Sequence, residues 1–176
     1  MSSRPTLAPK PAATARAILE YAETDLVCYR GDRNSDLRAR QDAAWQPLLD
    51  WVRERHGAEL AVASGLTFVS QPNAALARLR RAVEAHSDMA LSALYNLTHV
   101  AGSLVIALAI AEGRLDAEQD FTAAQLDELY QIERWGEDPI ATERHGGIRK
   151  DMQAGARFLA LLGDARLKGQ GLGGDT

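Results

Sequence analysis

A chain of 176 residues with 46% hydrophobic content is long enough to bury the core of one ordinary domain. Its formal net charge of −4 argues against affinity built on neutralising phosphates, so nucleic acid is not an expected partner. Cys28 is the single cysteine, which excludes an internal disulfide and a cysteine-based zinc site and fits a reducing compartment.

Residues 1–10 read as a flexible leader, because Pro5, Pro9 and Pro11 prevent a continuous helix and no apolar signal core is present. Arg4, Lys10 and Arg16 precede the first acid, Glu20, which faintly echoes an organelle presequence without its amphipathic helix. The expected location is therefore the cytoplasm of a bacterium, with the mitochondrial matrix as the alternative. The spacing of apolar residues then predicts helices over 12–22, 36–56, 72–86, 88–112, 116–135 and 139–162. Asp116 with Gln119 resembles a capping box, Pro72 and Pro139 suit first-turn positions, and Gly57, Gly113, Gly136 and Gly163 suit left-handed helix ends. Only residues 59–69 look extended. The expected fold is mainly α, a bundle of about six helices over 11–163 with at most one short strand or hairpin near 59–69. Residues 164–176 read as a flexible glycine-rich tail, and the match of 169–174 to G-x-G-x-x-G is spurious because it follows a helix rather than a strand.

Three helices carry unusual features. In the second, Trp45, Leu48, Leu49 and Val52 form one core stripe, Trp51 lies to its side as an edge or interface residue, and Pro47 should kink or restart the helix. In the fourth, Met89 to Ala111 contains no Lys, Arg, Asp or Glu and is long enough to cross a bilayer. Ser92, Asn96, His99 and Ser103 interrupt it, and Asp88 and Glu112 flank it instead of basic anchors, so burial in a helical bundle is expected rather than membrane insertion. Those four polar residues fall on one narrow face and form a seam that needs partners. In the fifth, Glu128 falls among Phe121, Ala124, Ile132 and Trp135, whereas Asp127, Gln131 and Arg134 share a wettable side. Glu128 is then either a buried ion pair, with His99 of the seam as its charge complement, or the specificity element of a docking surface.

Motifs for chemistry are missing. There is no P-loop, H-E-x-x-H, G-x-S-x-G or C-x-x-C, and His56, His86, His99 and His145 are scattered without ligand-like spacing. No catalytic residue, metal or cofactor is expected, and a binding or chaperone module fits better than an enzyme.

Five runs in order resemble a known family: Glu23 to Arg30; Gln41 with Trp45, Pro47, Leu48, Leu49 and Trp51; Gln71-Pro72; Gly102 to Val105; and Leu126 to Gly136. Together they are similar to the helical domain of the assembly chaperones of the F₁-ATPase (ATP synthase) α subunit, the mitochondrial assembly factor 2-like proteins. The resemblance implies a helical chaperone domain over 11–163, with no enzymatic activity, that holds the new α subunit and prevents its aggregation until it joins β. It also implies a partner-binding set. The family's acidic segment falls on Asp127 and Glu128, and Gln131, Trp135 and Gly136 match directly, with Tyr130 beside them. Two departures stand out. Family members begin with a β-rich domain that has no counterpart here, and His145-Gly146-Gly147 should break the sixth helix in two. The alternative reading is a small-ligand-binding or enzymatic bundle with a pocket at the Asn96/His99 seam.

Overall fold

The computed structural model of the protein describes residues 10–170, with side chains to residue 163. In chain order it contains α1 (Pro11–Glu23), a 3-10 turn (Leu26–Cys28), β1 (Tyr29–Arg30), α2 (Asp36–His56), β2 (Ala63–Ser64), α3 (Asn73–Glu84) and α4 (Asp88–Ala101). There follow α5 (Leu104–Ala111), α6 (Ala117–Ala124), α7 (Leu126–Trp135) and α8 (Pro139–Gln170). The fold is mainly α. Two expected helices are each divided, so the described residues form eight α-helices where the spacing predicts about six.

The first division makes the core. Gly102 takes a left-handed conformation (φ 68°) that ends α4, and the Ser103 hydroxyl accepts from the Ile106 amide at 3.1 Å to start α5. The apolar run from Met89 to Ala111 thus becomes two helices meeting at a corner. α5 is hydrophobic on every side, and each residue from Leu104 to Ile110 is buried, which requires neighbours all round it. α1, α2, α4, α6 and α8 supply them. Among the described residues no helix is long and apolar enough to cross a membrane.

The corner is held by Asp25. Its carboxylate is fully buried and accepts from the Ser103 hydroxyl at 2.5 Å, the Val105 amide at 3.1 Å and the Val27 amide at 3.3 Å. One side chain therefore caps both the 3-10 turn and the start of α5. The Glu23–Arg30 run that carries part of the family resemblance is, at Asp25, an architectural joint.

The second division falls at Gln125 (φ −101°, ψ 16°), between α6 and α7. The expected capping box opens α6, with the Gln119 amide donating to Asp116 at 2.8 Å and the Asp116 amide to the Gln119 side chain at 2.9 Å. α2, by contrast, runs through Pro47 without restarting, anchored by buried Trp45, Leu48, Leu49 and Val52. The extended region holds only β2, which pairs in parallel with β1 (Tyr29 with Ala63, Arg30 with Ser64) rather than folding into a hairpin. Arg38 fixes this pair to α2, reaching Asp42 at 2.8 Å, Ser64 at 2.7 Å and the Gly31 carbonyl at 3.3 Å.

α8 also departs from expectation, since it is continuous through Gly146-Gly147 and past Gly163, its expected end. Buried His145, Met152 and Leu159 hold one side of it against the bundle, and that packing outweighs the cost of the glycines. The helix is described as far as Gln170, inside the expected tail; residues 171–176, like leader residues 1–9, lie outside the described residues. A Cβ on Gly146 or Gly147 meets nothing within 4 Å, whereas one on Gly155 would lie 2.8 Å from Cδ2 of buried Leu97. Gly146→Ala/Gly147→Ala is therefore expected to stabilise by about 2 kcal/mol and raise Tm by roughly 4–8 °C. Gly155→Ala should show no such gain and should destabilise by about 1 kcal/mol, because α4 and α8 cross there. Thermal scans of the variants check this, and equal behaviour at the three positions would contradict the packing argument.

Candidate partner-binding surface

Because the chain breaks at Gln125, α7 has its own phase. Its buried residues are Leu126 and Tyr130, and this side packs on the start of α2. Asp127 is half-buried there and accepts from the Gln41 amide group at 2.8 Å, while the Gln41 carbonyl oxygen accepts from the Gly31 amide at 2.7 Å. The Tyr130 ring lies between two guanidinium groups, Arg40 at 5.1 Å and Arg134 at 4.7 Å from its centroid. Arg40 in turn pairs with Glu133, and Arg134 reaches Asp36 at 3.3 Å. Asp127 and Tyr130 are thus joined to the body of the protein.

The opposite side of α7 is open. Glu128, Gln131, Ile132 and Trp135 fall within about 100° of one another on a helical projection. Glu128 and Gln131 are exposed, Ile132 is half-buried, and the Trp135 side chain is 80% exposed. Gly136 (φ 85°) then turns the chain into α8, whose Ile140 is 78% exposed beside it in sequence. Gly136 serves the surface by geometry, since its backbone takes a positive φ that an L side chain rarely adopts.

Glu128 is the charged element of this face. Its Oε2 accepts from Arg144 Nη2 at 2.5 Å and from His145 Nε2 at 2.9 Å. Partial burial pushes the Glu128 pKa up, but the His145 hydrogen bond and the Arg144 charge outweigh it and hold the carboxyl below its usual range. His145 is buried, edge-on to Phe121 at 5.9 Å, with Nδ1 3.8 Å from a Glu137 oxygen. The carboxylate is therefore oriented from beneath while its surroundings stay in water.

Several expectations are corrected here. Glu128 does not lie among core residues: Phe121 and Ala124 belong to α6, and a projection that joins them to Trp135 assumes one unbroken helix. His99 is not its partner, because His99 Nδ1 sits 2.5 Å from the Tyr21 hydroxyl and its ring stacks on Tyr95. Ser103 leaves the polar seam to cap α5, while Ser92, Asn96 and His99 stay on the exposed face of α4. Trp51 is half-buried and edge-on to His56, about 15 Å along α2 from Gln41, so the structure does not bring it to α7. Arg144 and His145 of α8 hold Glu128 in place, and sequence reasoning misses them. Their link to Glu128 crosses the turn at Gly136, where no helical spacing applies. Among the described residues no three His, Cys, Asp or Glu side chains converge on a metal-sized position.

The comparisons with known proteins agree with this architecture. The model of the ATP12 chaperone protein family matches residues 4–53, which hold α1 and most of α2. Atp12 from Paracoccus denitrificans superposes with a TM-score of 0.84 at 34% identity, over 89% of this chain and 67% of that one. A mutant of the same Paracoccus protein gives 0.84 at 33% over the same shares. Atu1473 from Agrobacterium tumefaciens, put forward as a chaperone, gives 0.80 at 35%, over 88% of this chain and 58% of that one. With that identity held across two thirds of the Paracoccus protein, the chain belongs to the ATP12 chaperone protein family.

Proposed function

We propose that the protein is an ATP synthase assembly chaperone that binds the unassembled F₁ α subunit and keeps it from aggregating until it joins β. Membership of the family supports the chaperone role, and the surface on α7 and α8 supports the mode of binding. The observation that carries it is Trp135, a tryptophan 80% exposed on the side of α7 that also bears Glu128, an ionic group held in place by two bases. Exposed Trp135 and Ile140 offer a partner apolar area, and Glu128 with Gln131 sets which surface it accepts. Binding through a few apolar and charged groups is reversible in this reading, so transfer of the α subunit to β stays downhill. The work is binding and release, without turnover of a substrate. Asp127, Glu128, Tyr130, Gln131, Trp135 and Gly136 act as one unit in this reading, the exposed ones touching the partner and Asp127 and Tyr130 fixing α7 beneath them. The test is dilution of purified α subunit from denaturant with and without the protein, followed by light scattering. Suppression near one-to-one stoichiometry is expected; scattering unchanged by a several-fold excess would defeat the proposal.

A further inference from the structure

We infer that the groove between α4 and α8 is a second docking site, which takes one amphipathic helix of the α subunit carrying a lysine or arginine. The inference rests on the function proposed above and adds the element of the partner that is held. The groove encloses about 790 Å³. Its floor is the exposed face of α4 with Ser92, Asn96 and His99, and α8 forms a wall with Asp151, Ala154 and Phe158. From Met89 to Val100 it runs about 16 Å, three turns of a helix. α1 and α8 both pack on α4 and leave this face of it open, as in a bundle lacking a member.

The groove offers both apolar and polar groups. Two large apolar side chains line it exposed, Met89 at 60% on α4 and Phe158 at 38% on α8. In the middle, the Ser92 and Asn96 side chains make no hydrogen bond among the described residues. On the α8 wall Asp151 has no ion-pair partner among the described residues, and no lysine or arginine lines the groove. A complementary helix therefore buries an apolar side chain against Phe158 and brings a cation to Asp151. Phe158 and Asp151 are two turns apart on α8, so the occupant's apolar anchor and its base should stand seven residues apart. The groove is also continuous with the proposed surface. Ile140, Arg144, Gly147, Asp151 and Phe158 share one flank of the unbroken α8, within about 60° of one another, so one partner can engage both along roughly 27 Å.

The test places a photo-crosslinking phenylalanine at Ala154 in the groove wall, at Ser92 on its floor, and at Gln131 in the proposed surface, each mixed with purified F₁ α subunit. Crosslinks from 154 and 92 are expected to map to one helical segment with an apolar residue and a base seven apart. Asp151→Lys should cut the yield from 154 and 92 about tenfold and leave Gln131 crosslinks in place. Crosslinks from 131 but not from 154 or 92, or crosslinks from the groove to a second copy or a non-helical stretch, would overturn the groove while leaving the chaperone reading intact. Absence of crosslinks at all three positions would remove both.

Discussion

Asp120→Asn is expected to make the protein more stable than the parent at pH 8 and to flatten its pH dependence between about pH 4 and 7. Asp120 is 0% exposed on α6, and neither carboxylate oxygen has a hydrogen-bond partner among the described residues. Burial alone pushes its pKa from 3.8 to about 7. The folded state therefore keeps a proton that the unfolded chain releases. Its contribution is fully present below pH 3.8 and is lost as pH rises through about 7, after which it no longer changes. A rise of that size corresponds to about 4 kcal/mol, against which the unmet hydrogen bonds of the asparagine cost about 1–3 kcal/mol. Urea unfolding at pH 5, 6 and 8 measures the effect. A variant no more stable than the parent at pH 8, or a parent whose stability does not fall over this interval, would show that the carboxylate is solvated or paired.

Asp25 gives the contrast. Desolvation raises its pKa too, to about 6, although hydrogen bonds from Ser103 and the Val105 and Val27 amides oppose the rise. It therefore adds to the same fall in stability, between about pH 4 and 6. Yet its oxygens satisfy groups that would otherwise be buried without partners, so Asp25 holds the α4–α5 corner while Asp120 holds nothing. The carboxyls of Asp42, Glu128 and Glu133 are shifted the other way, and their contributions are lost only as pH falls below the ordinary carboxylate range.

Much of the architecture is written in local signals. The stripe of Trp45, Leu48, Leu49 and Val52 is buried as its spacing requires, the Asp116–Gln119 box forms, and Gly57 and Gly113 take positive φ, whereas Gly136 (φ 85°, ψ 164°) ends α7 outside the left-handed helical region expected of it. The failures share one cause. Gly102-Ser103 is a readable end and start, but it sits inside an uncharged run whose length argues for one helix. Gln125 breaks α6 from α7 with neither glycine nor proline to announce it. Gly146, Gly147 and Gly163 look like breakers, and tertiary packing of α8 overrides them. Pairing of β1 with β2, and of Glu128 with Arg144 and His145, depends on contacts between separate segments that periodicity does not encode. The residues of the proposed partner-binding set are suggested by the family resemblance, but the direction each one faces is not: one break at Gln125 moves Glu128 from an expected core to the surface.

Glu128→Lys is expected to abolish suppression of α-subunit aggregation while the helical content and Tm stay close to the parent's. The ion pair it removes is half-exposed, and such pairs contribute about 0–1 kcal/mol, so the fold survives even with a lysine set beside Arg144 and His145. The surface does not survive. A face that offered a carboxylate beside Gln131 now offers a cation next to the Arg144 guanidinium, and like charge facing a partner's base is a repulsive element rather than a lost contact. Binding should weaken at least tenfold. Glu128→Gln, which keeps the shape, should lose less, and Trp135→Ala should lose about as much as a hot-spot aromatic, roughly 30-fold for 2 kcal/mol, with no effect on stability because so little of the ring is buried. The double variant Glu128→Lys/Arg144→Glu separates the two roles of the residue. It restores an opposite-charge pair on the same helices but presents the charges in exchanged positions. If Glu128 acts only by holding α7 to α8, chaperoning returns with the pair; if it reads the α subunit, the double variant stays inactive while as well folded as the parent.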